Sequence, residues 1–103
     1  MRLNSKEVKS IREAFQFCAP TEKFDLYLFG SRTDDSKKGG DIDLLVVTEE
    51  PFKTSFVNLK AKIKLKIFET LDEQKIDITV ATTAELATDL FLKSIFQKAK
   101  KIV

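Results

Sequence analysis

A chain of 103 residues, 43% hydrophobic and 33% charged, is long enough for one folded domain, 1–103, around a modest core. Its net charge of +2 lacks the one-sided basic excess of a general nucleic-acid binder, so no direct nucleic-acid partner is expected. One cysteine, no histidine and no apolar run near membrane-span length exclude an intramolecular disulfide, an imidazole metal site and a membrane partner held by a spanning helix.

The first ten residues are polar and lack a signal peptide's apolar stretch. With the lone cysteine, that sets the expectation of a cytoplasmic protein. Asn4 and Glu7 have capping-box spacing, and Val8, Ile11, Phe15 and Cys18 then fall on one helical face. The pattern predicts a helix over about 5–18, ended by Pro20. Cys18 sits on the buried stripe and reads as a small core hydrophobe.

Phe24 to Phe29 is an aromatic and aliphatic run bounded by Gly30, hence a first strand. Residues 30 to 40 hold all three glycines with Ser, Asp and Lys, and read as a loop with room for a helical turn after Gly30. Ile42 to Val47 is apolar at every position but Asp43, as in a strand covered on both faces, and Glu49-Glu50-Pro51 closes it.

Residues 54–72 carry two periodicities. Lys62 to Ile67 alternates like a strand, while Phe56, Leu59, Ile63, Ile67 and Leu71 have helical spacing. Length and the lack of internal turn residues favour a helix, which leaves Val57, Ala61, Leu65 and Phe68 on a surplus apolar face. Lys75 to Val80 predicts a third strand containing Asp77. Thr82 and Glu85 form another capping-box pair, ahead of a last helix over about 83–101 with apolar residues on more than one face. The order predicts a small α/β (α+β) domain with a three- or four-stranded sheet.

Asp41 and Asp43 are two apart at the mouth of a strand, so their side chains share a face. Adjacent carboxylates repel unless a cation or a proton joins them. Mg²⁺ favours a few carboxylates together with substrate phosphates. Asp77 would converge on them if its strand is a neighbour, and three carboxylates with two Mg²⁺ suit in-line displacement at phosphorus. Gly30 lets the backbone approach a phosphate, Ser31 adds a donor, and Arg32, Lys37 and Lys38 offer positive charge. Each piece alone is weak: Gly-Ser is ordinary turn chemistry, and Asp34 to Lys38 is most simply a solvated loop. Their conjunction around one predicted strand end is the signal.

Gly30-Ser31-Arg32 followed by Gly39-Gly40-Asp41-Ile42-Asp43-Leu44 resembles the signature of the polymerase-β-like nucleotidyltransferase superfamily. The small size resembles its minimal nucleotidyltransferases, antitoxin-like proteins paired with a HEPN-domain toxin. The resemblance implies a mixed sheet flanked by helices, Mg²⁺ and a nucleoside triphosphate, usually ATP. It implies that Asp41 and Asp43 bind metal, that Asp77 is the third carboxylate, and that Gly30 and Ser31 hold the β- and γ-phosphates. Arg32 and Gly40 complete the expected nucleotide-binding set. In the HEPN-paired branch the implied reaction moves AMP to a hydroxyl, typically of tyrosine, on the partner. The family often has Ser before the acidic pair, where this chain has Gly40, which keeps the turn and loses a hydroxyl.

The expected function is therefore adenylylation of a protein partner, because 103 residues leave no separate acceptor-binding element. Two rivals are a non-catalytic antitoxin that masks its toxin by contact, and a small-molecule nucleotidyltransferase of the aminoglycoside-modifying kind acting as a dimer. The surplus apolar helix positions suit a partner surface, a homo-oligomer seam or plain core packing.

Overall fold

The computed structural model describes residues 5–30, 42–71 and 75–102. The elements run α1 (Ser5–Cys18), β1 (Phe24–Phe29), β2 (Ile42–Thr48), α2 (Glu50–Phe68), β3 (Ile76–Thr82), α3 (Thr83–Thr88), α4 (Leu90–Lys98) and β4 (Lys100–Lys101). The four strands form one mixed sheet in the order β3-β2-β1-β4. β1 pairs with β2 antiparallel, and β2 pairs with β3 parallel through the α2 crossover.

Alternation along the strands splits the side chains between two layers. On one face α1 and α2 bury Ile11, Phe15, Leu26, Leu28, Ile42, Leu44, Val46, Phe56, Ile63, Ile67, Ile76 and Ile78 in the main core. Phe15, Phe24 and Phe56 meet there as tilted and edge-on ring pairs with centroids 5.1–6.4 Å apart. On the other face Leu92 packs against Leu45, Val47 and Ala81, and Phe96 meets Tyr27 edge-on at 5.0 Å. β2, paired on both sides and covered on both faces, is buried at every position except Asp43.

α1 and β1 lie where periodicity puts them, and Cys18 is buried. Desolvation by burial pushes its thiol up, which suits a packing role. The alternation at 62–67 is a helix after all: Ile63 and Ile67, four apart, are buried, while Leu65 is 66% exposed.

Three boundaries depart from the expectations. α2 begins at Glu50, so Pro51 opens a helix rather than closing a strand, its missing N–H costing nothing in a first turn. The single last helix is two, because the Asp89 carboxylate accepts from the backbone N–H groups of Phe91 and Leu92 at 2.9 and 3.1 Å and so starts α4 afresh. Lys100 and Lys101, placed in that helix by periodicity, instead pair with Leu28 and Tyr27 as a short edge strand. The Thr82–Glu85 capping box is present with both of its hydrogen bonds, at 3.1 and 3.0 Å. Asn4 and the proposed turn after Gly30 lie outside the described residues.

Candidate functional site

The candidate site lies where β1 ends and β2 and β3 begin. Ile42 N–H donates to the Lys75 carbonyl at 2.9 Å, which closes the parallel ladder at this mouth. The register then sets Asp43 directly beside Asp77 on β3 and beside Phe29 on β1. Cα partners in a sheet share a face. Phe29, Asp43 and Asp77 therefore form one row across three strands, on the α4 side of the sheet. The next row inward is Tyr27, Leu45 and Thr79.

Both carboxylates are half-buried, in reach of water at the rim rather than sealed in the core. Adjacent strands stand about 4.8 Å apart, so the two acidic groups are held at ion-sharing range by backbone pairing alone. The Asp77 carboxylate has no hydrogen-bond or ion-pair partner among the described residues. The residue is half-exposed.

Gly30 follows directly at the end of β1, with φ +80°. That left-handed conformation favours glycine. A Cβ there would also collide with the Asp43 carboxylate oxygen Oδ2 and stand 3.1 Å from its Cγ. Gly30 thus both turns the chain and leaves room for the Asp43 side chain.

Of the expected site residues, Gly30, Asp43 and Asp77 are described, and the fold brings all three together. Ser31, Arg32, Gly40 and Asp41 lie outside the described residues, as do Lys37 and Lys38. Among the described residues no group of three potential metal-ligating side chains gathers. Phe29, a plain strand residue by sequence, is a further neighbour of Asp43. Its signal was parity, because Asp25, Tyr27 and Phe29 must share the face on which Asp43 lies.

Oxygen-only donors at the mouth of a sheet, two of them fixed in register, fit a hard divalent cation such as Mg²⁺. A cleft of about 530 Å³ lined by Gln16, Ala19, Pro20, Glu22, Lys23 and Phe24 lies at the opposite end of β1 and takes no part.

No curated protein matches the chain. A family model described as a nucleotidyltransferase domain matches residues 8–103, nearly the whole length. Domains of this kind generally use a divalent metal and a nucleoside triphosphate. With its mixed four-stranded sheet flanked by helices, the chain belongs to the nucleotidyltransferase-domain family, within the polymerase-β-like nucleotidyltransferase superfamily.

Proposed function

We propose that this protein is a cytoplasmic Mg²⁺-dependent adenylyltransferase that moves AMP from ATP to a tyrosine hydroxyl of a HEPN-domain toxin, and acts as its antitoxin. The observation that supports this reading most is the pairing of Asp43 with Asp77 in the parallel ladder, with the Gly30 backbone against Asp43. Two half-exposed carboxylates fixed side by side suit transfer of a phosphoryl-type group to a hydroxyl.

Asp41 and Asp43, with Asp77, would hold two Mg²⁺. Bound there, the metal supplies positive charge to the triphosphate and to the oxygens that enter and leave phosphorus. Gly30, Ser31, Arg32 and Gly40 hold the nucleotide. Asp77 orients the acceptor hydroxyl and takes its proton. The hydroxyl oxygen then bonds to the α-phosphorus, the α–β phosphoanhydride bond breaks, and pyrophosphate leaves with the bonding pair.

The test is incubation with α-labelled ATP, Mg²⁺ and the product of the adjacent gene. AMP on a tyrosine of that partner is the expected result. A stable complex without label would replace the reading with masking by contact. Label on an aminoglycoside instead would make this a small-molecule enzyme.

A further inference from the structure

Among the described residues β3 is an edge strand, with no strand paired to its outer side. In the parallel ladder, Ile42 bonds to Lys75 and, by the same register, to Asp77, so Asp77, Thr79 and Ala81 turn their backbone groups toward β2. Ile76, Ile78 and Val80 must therefore turn their N–H and C=O groups outward. Among the described residues none of these outward groups has a hydrogen-bond partner. The next one along, the Thr82 N–H, is taken by the Glu85 carboxylate at 3.0 Å. Among the described residues the edge is thus capped at the end far from the candidate site and without a partner over 76–80, at the end beside it.

We infer that this open edge of β3 receives an extended segment of the acceptor protein by strand addition. The inference rests on the adenylyl-transfer reading and names how its acceptor is held. Unpaired edge groups are a template for another extended backbone, and peptide recognition by strand addition uses such an edge. The added strand would be the neighbour of β3, so its residue opposite Asp77 lies on the same face as the Asp77 carboxylate. A hydroxyl at that position meets the group that takes its proton. α4 leaves room there, since its buried residue Leu92 packs on Leu45, Val47 and Ala81, while Asp77 and Thr79 stay half-exposed. A second copy pairing β3 to β3 would compete for the same edge, and protection that rises with protein concentration alone tells the two apart.

Synthetic decapeptides alternating Thr and Val around one central Tyr, with a Phe version as control, serve as the probe. Hydrogen exchange is followed at the Ile78 and Val80 amides, and AMP transfer is followed from α-labelled ATP with Mg²⁺. The Tyr peptide should slow exchange at both amides and accept label, and the Phe peptide should slow exchange without accepting label. Val80→Pro removes one outward N–H and no ladder bond; it should cut labelling about tenfold, the worth of one such hydrogen bond, and leave ATP binding unchanged. Protection that is absent or falls elsewhere, or full labelling by a folded Val80→Pro, overturns the inference. So does protection of the two amides that rises with protein concentration without peptide, which would mark a seam between copies. If Val80→Pro does not fold, exchange in the unaltered protein decides alone. Failure of the unaltered protein to bind ATP would sink the proposed function instead, while exchange still judges the edge.

Discussion

Asp43 and Asp77 are Cα partners in the parallel ladder, 34 positions apart in sequence and one strand apart in space. Their proximity is set by the β2–α2–β3 crossover and does not depend on a side-chain contact between them. Replacing either carboxylate by its isosteric amide should therefore spare the fold. Asp43→Asn, combined with Asp41→Asn, should abolish transfer and weaken Mg²⁺-ATP binding. Asp77→Asn should keep Mg²⁺-ATP binding and lose about 10²–10⁴-fold in transfer, the usual worth of a positioned base. Titration with a fluorescent ATP analogue beside a transfer assay separates the two. Loss of both functions in Asp77→Asn would make it a metal ligand above all.

Gly30→Ala tests the turn that faces Asp43. Alanine at φ +80° is strained, at a cost of about 1–2 kcal/mol. The larger effect should be on the site. The new methyl would occupy the space of the Asp43 carboxylate and swing it off the row it shares with Asp77. Transfer should fall more steeply than stability, as measured by an activity assay beside thermal melting. A melt that falls while activity per folded molecule holds would assign Gly30 to the backbone alone.

Much of this is legible in the sequence. Val8, Ile11 and Phe15 marked α1, and the near-continuous apolar run after Asp43 marked a central strand, because local periodicity reports burial directly. Asp43 and Asp77 were legible as candidates, but their registry was not, since pairing between strands is a long-range property. The last helix misled for a similar reason. Leu86, Leu90, Phe91, Ile95 and Phe96 suit one long helix, yet the Asp89 side chain competes for the backbone and restarts it. Two lysines gave no strand signal either; β4 exists because β1 offers it an edge. Leu90 and Phe91, expected among the surplus apolar positions, are 82% and 70% exposed.

Glu85 ties three elements together. Its carboxylate accepts from Lys53 Nζ at 2.8 Å, linking α2 to α3, and from the Thr82 N–H at 3.0 Å. The Lys53 hydrogen bond first, and the Thr82 bond second, hold its carboxyl below the ordinary value of 4.5. A depressed carboxylate contributes stability that is present above its unfolded pKa and lost as pH falls through the folded one. Glu85→Gln should therefore lower the melting temperature slightly at pH 7. The gap from the parent should shrink as pH falls below about 4.5 and the parent's carboxylate protonates. Melting curves from pH 7 to pH 3 measure it. The effect stays small because a third of each side chain is open to solvent, where ion pairs are screened. A gap that widens in acid would contradict the assignment.

Asp89 offers a sharper test of local structure. Its carboxylate accepts from the first N–H groups of α4, while its own N–H donates to the Glu85 carbonyl at 2.8 Å to close α3. One residue therefore ends one helix and begins the next. Asp89→Ala keeps the backbone bond and removes the cap, so it should cost about 1 kcal/mol. Asp89→Asn keeps an accepting oxygen and removes the charge. It should recover most of that loss, the remainder being the interaction of a negative charge with the helix N-terminus, about 0.3–1 kcal/mol and screened by salt. Denaturant unfolding of the three proteins at low and high salt separates the terms. If Asp89→Ala instead raised stability, α3 and α4 would fuse into the single helix that hydrophobic periodicity alone favours, and the carboxylate would be what keeps them apart.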